Sequence, residues 1–183
     1  WHLLVTGEFT ADIVSTLQDV AIASALSIAL GFALGIAIHA LPRLRATLEP
    51  LLASYYAIPT FMFYPVFIVV FGVSDRAIIA IAVLLSIVAM IASTLTGLDR
   101  IPRVLRKTAA IYRMGLARPA LLIDLPAAAP HLFTGIKLAF AYAFIGVIAS
   151  EFILSGQGIG YQIAYAYNNF ENRHMYALML LIL

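Results

Sequence analysis

The 183-residue chain is 63% hydrophobic and 11% charged, against about 45–50% and about 25% for soluble globular domains. A water-soluble domain of this length could not bury so much apolar surface, so the composition excludes one and points to an all-α integral membrane protein. The net charge of +2 says little until its placement is known, and the lack of cysteine excludes disulfides, thiolate metal sites and Cys nucleophiles.

Several apolar runs reach the roughly 20 residues that a helix needs to cross the hydrocarbon layer. A first span is expected at residues 13–40, with the small residues Gly31, Ala33, Gly35 and Ala37 near its end. Small residues let membrane helices approach closely. A short loop, LPRLRATLEP, carries Arg43 and Arg45; a second span follows at 51–72 and a third at 77–98. After a long basic loop at 99–130, a fourth span covers 132–154. The segment SGQGIGYQIAYAYNNFENRH then leads to an apolar run at 175–183 that is too short to span. Residues 1–183 are read as one transmembrane domain. The start at Trp1 without Met and the stop inside MYALMLLIL suggest a fragment, lacking one helix before Trp1 and most of one after Met175. Glu8, Asp12 and Asp19 stand where a cleavable signal would be basic.

Charge placement sets the orientation. Arg43, Arg45, Arg100, Arg103, Arg106, Lys107, Arg113 and Arg118 fall in two loops that alternation puts on the same side, leaving only Arg76 and Arg173 clearly outside. An excess of Lys and Arg marks the cytoplasmic side. Lys137 and the histidines His39 and His131 are expected near that interface. Within the basic loop, Val104, Leu105, Ala109, Tyr112 and Leu116 recur at helical steps, giving one apolar face. Pro102 suits a helix start, Gly115 a stop, and Pro119 a second start. Two short helices beneath the membrane are therefore expected. A surface-lying anchor would explain the basic residues but not Pro126 and Pro130 after them, so docking of a partner is favoured over it.

Read with its flanks, the loop resembles that of permease subunits of bacterial ABC importers: Glu-Ala-Ala, three residues, Gly, nine residues, Ile, one residue, Leu-Pro. Ile123, Leu125 and Pro126 match the end of that pattern. Strict spacing puts Lys107, Thr108 and Ala109 on Glu-Ala-Ala and Arg113 on the glycine, with Gly115 two residues late. The segment PTFMFYPVFIVVFG is similar to the nitrate/sulfonate/taurine group of these permeases at Pro59, Pro65, Phe71 and Gly72. So is ASEFILSGQGIGYQI, at Glu151, Gly158, Gly160 and Tyr161.

The resemblance implies a multi-span helical bundle of the type I importer kind, with about five of six spans present. It implies a second permease copy, most simply as a homodimer, around a translocation path in a bacterial inner membrane. It also implies a cytoplasmic ATP-binding subunit docked on the coupling loop and a periplasmic or extracellular solute-binding protein. The chain has no G-x-x-x-x-G-K-[ST] segment, so ATP would be used by the partner and no cofactor bound here. The coupling contacts implied are Lys107, Thr108, Ala109, Arg113, Gly115, Ile123, Leu125 and Pro126.

Pro59 and Pro65 interrupt a span, and broken helices at membrane depth often border a substrate cavity, although a packing kink is also open. Tyr56 and Phe63 beside them fit either interfacial anchors or an aromatic path lining. Glu151 at the outer end of the fourth span completes the candidate path. GQGIG at 156–160 lacks a preceding strand and reads as an external hairpin, not a nucleotide loop. The scattered histidines His2, His39, His131 and His174 suggest no metal site or enzyme constellation. A secondary transporter or channel is the competing reading; it would normally show paired intramembrane charges or inverted repeats. Membrane lipid is an expected partner and nucleic acid is not.

Overall fold

A computed structural model describes residues 7, 9–112, 114–115 and 117–182, apart from the side chains at 106, 110 and 117. Among these residues every regular element is helical. Helix α1 (Thr10–Ala40) runs into α2 (Pro42–Ser54), with Leu41 alone between them. Proline in the first turn fits α2, because the missing N–H is one that no helical carbonyl would accept. One-turn segments at Tyr55–Ala57 and Thr60–Phe63 precede α3 (Tyr64–Phe71), and α4 (Asp75–Asp99) follows. Next come α5 (Arg103–Ile111), a turn at Ala117–Pro119, and a π-helical stretch at Ala120–Asp124 that continues into α6 (Leu125–Leu154). Helices α7 (Ile159–Asn168) and α8 (Asn172–Ile182) complete the described chain.

Three stretches are long and apolar enough to cross a membrane: Thr10–Ala40, Asp75–Asp99 and Ala120–Leu154. They contain the spans expected at 13–40, 77–98 and 132–154. The span expected at 51–72 is not one helix. The chain leaves helical geometry at Ile58 (φ −88°, ψ 121°) and Pro59 (φ −70°, ψ 94°) before winding again at Thr60. Proline pushes the residue before it out of the helical region and donates no hydrogen bond itself, so the break falls where Pro59 dictates. The second helix expected to open at Pro119 is likewise not separate, because it merges through the π stretch into α6.

The described residues gather into two compact units. One takes residues up to 27, 59–86 and 140 onward; the other takes 28–58 and 87–139. In the first unit, Val20 and Ala23 of α1 pack on Ile78 and Ala82 of α4 and on Ala143 and Val147 of α6. The hydroxyls of fully buried Ser27 and Ser86 meet; one donates to the other, which donates in turn to the carbonyl four residues back. A satellite core joins Ile159 and Ile163 of α7 to Leu178 of α8, with Phe9 and Ile13 against it.

In the second unit, Met90 packs with Ala128, Leu132 and Ala139, while Ile38, Ile91 and Leu95 are covered by Leu48 and Leu52 of α2. A side chain at Gly31 would come 2.7 Å from Met90 Cβ, and one at Gly35 2.6 Å from Thr94 Cβ. The helices touch there only because both residues are glycine. Ala33 and Ala37, expected to share that row, are exposed instead. Residues four apart share a helix face and residues two apart do not, so the glycines alone form the contact.

Candidate functional site

The coupling-loop residues are held by α5 and by the start of α6. Helix α4 ends at Asp99, Ile101 is buried, and α5 begins at Arg103 after Pro102. Ala109 is buried on the inner face of α5, while Lys107 is exposed and Thr108 donates to the Val104 carbonyl at 3.0 Å. Helix α5 packs on the π stretch that contains half-buried Ile123, and exposed Leu125 and Pro126 open α6. Lys107–Ala109 and Ile123–Pro126 are thus brought to one region from opposite ends of the loop. Gly115 is exposed with open space around it, so packing does not demand a glycine there. Arg113 lies outside the described residues.

The apolar face of α5 differs from the expected one. Ala109 and half-buried Leu105 face inward, but Val104 and Tyr112 are 65% and 72% exposed, beside Ile111 at 78%. Leu116, also expected on that face, lies outside the described residues. The helix therefore carries a second, outward apolar stripe flanked by exposed Arg103 and Lys107. Steps of 3.6 residues place Val104 and Ile111, seven apart, on one side.

The residues proposed for a path divide between the units. In one, exposed Tyr56 packs edge-on against Tyr55 at 5.9 Å and lines a cleft of about 310 Å³ with Arg45, Leu52, Val88 and Asp99. In the other, Pro59, Phe63 and Pro65 are exposed around buried Thr60.

A feature that sequence reading missed closes the same cleft. The Arg45 guanidinium grips both oxygens of Asp99, at 2.7 Å and 2.5 Å. Glu49 stands 3.6 Å from Arg45 Nε, and His39 Nδ1 stands 3.5 Å from Asp99 Oδ1. Arg45 read only as one of several inside charges, because nothing in the sequence pairs it with a residue 54 positions later.

Glu151, expected along the path, is 1% exposed and sits in a cap over the start of α7. The first N–H groups of a helix have no partner within it and must find one elsewhere. Here the Gly158 N–H donates to Asp12 at 2.8 Å, the Ile159 N–H to Thr16 Oγ1 at 2.9 Å, and the Gly160 N–H to Glu151 Oε2 at 2.9 Å. Thr16 in turn donates to Glu151 Oε2 at 3.0 Å, and Gln162 Nε2 donates to Asp12 at 2.9 Å. Glu151 Oε1 has no hydrogen-bond partner among the described residues.

Glu151→Ala would strand two buried donors, the Gly160 N–H and the Thr16 hydroxyl, at about 2–4 kcal/mol in all. Glu151→Gln keeps an acceptor for both and should lose clearly less. Thermal unfolding of the three proteins in detergent checks the order, and equal losses would sink the capping role. Among the described residues, no three His, Asp or Glu side chains gather as a metal site would require.

A family model described as the binding-protein-dependent transport system inner membrane component matches residues 27–183. The chain is 29% identical over 161 residues to a nitrate import permease of Leptolyngbya laminosa, covering 88% of this chain and 58% of that protein. It is 28% identical to a bicarbonate transport permease of Synechococcus elongatus, covering 84% and 56% of the two chains. It is 30% identical to a formylaminopyrimidine transport permease of Halalkalibacterium halodurans, covering 84% and 61%. The chain thus spans less than two thirds of the length of these relatives.

Proposed function

Because the chain belongs to the binding-protein-dependent transport system inner membrane component family, we propose that it is the membrane-spanning part of an ATP-driven importer for a small solute. The observation that carries this reading is α5, whose inner face anchors it while Val104, Ile111 and Tyr112 stay exposed between basic residues. An exposed apolar stripe with a charged rim is what a docking surface requires. The partner it suits is a cytoplasmic ATP-binding subunit that binds and spends the ATP. Loop 99–130 is then cytoplasmic, a placement that its positive charge supports. A binding protein on the far side delivers the solute to a path built with a second copy of the chain, where Tyr56, Pro59, Phe63 and Pro65 are the lining residues. Relatives named for nitrate, bicarbonate and formylaminopyrimidine support a small anion or a small pyrimidine as cargo.

The test is uptake into proteoliposomes holding the full-length protein with its ATP-binding subunit and binding protein. Labelled nitrate, bicarbonate and formylaminopyrimidine are offered in turn. Accumulation of one of them that needs internal MgATP is the expected result. Accumulation that follows an imposed ion gradient without ATP would replace the importer with a secondary transporter.

A further inference from the structure

We propose that the Arg45–Asp99 pair is a strut that makes α2 follow the end of α4 and the coupling loop; the proposal rests on the importer reading above. Asp99 is the last residue of α4, and α5 starts four residues later, after buried Ile101 and Pro102. Any displacement of α5 therefore reaches Asp99 through a short connection. Arg45 stands in the first turn of α2, tied to α1 by Leu41 alone. The far end of α2 leads through Tyr55–Ala57 to Ile58, where the helix breaks. The pair thus sits between the docking surface and the segment that carries Tyr56.

The rest of α2 is held lightly. None of its residues is buried, and its apolar hold on the neighbouring core is Leu48 and Leu52. A fork that fills both carboxylate oxygens fixes orientation as well as distance, which a single contact does not. As a stabiliser the pair counts for little, since its side chains are 22% and 40% exposed and ion pairs so open to water are weak. Its role is geometric. Glu49 and His39 flank the fork, 3.6 Å from Arg45 Nε and 3.5 Å from Asp99 Oδ1.

A single cysteine at Leu51, which is 62% exposed on α2, reports on that helix once any cysteine outside these 183 residues and in the ATP-binding subunit is replaced by serine. The full-length protein is purified with its ATP-binding subunit, and maleimide labelling is timed before and after trapping with MgATP and vanadate. Trapping should change the rate about fivefold or more. Arg45→Ala and Asp99→Ala should each abolish the change, and the reversed pair Arg45→Asp with Asp99→Arg should restore it. An unchanged response in Arg45→Ala overturns the strut. So does a loss that the reversed pair does not restore, because that assigns the residues a merely structural part. A co-purified subunit with a silent position 51 in the otherwise native chain overturns the strut alone. If no ATP-binding subunit co-purifies, the importer reading falls and the strut falls with it.

Discussion

Alanine at Gly158 is expected to destabilise the chain by about 3 kcal/mol or more, while alanine at Gly156, two residues earlier, should be nearly silent. Gly158 has φ +98°, a region that side chains with a Cβ rarely adopt, and an added Cβ would overlap the Glu151 carboxyl group. That group cannot swing away, because it is buried and bonded to Thr16 and Gly160. Strain and overpacking therefore add. Gly156 has open space around it. For a chain of this size a loss of about 3 kcal/mol corresponds to a fall of about 6–12 °C in melting temperature. Unfolding of the two variants in detergent checks this, and a Gly158→Ala protein that melts with the native one would mean that the cap is not packed as described.

Removing residues 104–118 should abolish co-purification of the ATP-binding subunit, the largest functional effect expected of any change here. Because a deletion also alters the loop, a point change on the outward stripe separates docking from folding. Ile111→Glu places a charge at a position that is 78% exposed, where the isolated chain tolerates it. A docked partner would have to bury that charge unpaired, which should weaken assembly at least about tenfold. Lys107→Glu, at the rim, should weaken it less. Quantifying the ATP-binding subunit retained on the tagged membrane protein ranks the three. Full retention in Ile111→Glu would move the docking surface elsewhere.

Much of the fold was legible because lipid imposes a single rule, that a span must be long, apolar and helical. The runs at 13–40, 77–98 and 132–154 obeyed it visibly. Pro59 announced its own break, since its backbone cost does not depend on distant partners. The sequence did not say which side of a helix meets protein and which meets lipid or water. Hydropathy is blind to that distinction, so Gly31 and Gly35 could not be separated from Ala33 and Ala37, nor Ala109 from Val104.

Long-range polar pairs were the least visible. Glu151 meets Thr16 across 135 residues and Arg45 meets Asp99 across 54, and no local pattern links either pair. One signal was available. Asp12, Thr16 and Asp19 repeat at helical spacing at the start of the first span, a stripe with two carboxylates that a lipid-facing helix would not carry.

That stripe has a consequence for how the protein is made. Asp12 and Thr16 receive the Gly158 and Ile159 N–H groups from nearly 150 residues downstream, which a ribosome supplies only after α1 has long since emerged. Asp19, buried in the finished fold, lies about 14 Å along α1 from its start by the 1.5 Å rise per residue. A lone aspartate in a nascent transmembrane helix costs up to about 3 kcal/mol at mid-bilayer. Helix α1 therefore enters the lipid before these partners exist, and Asp12 meets its donors only when α7 arrives.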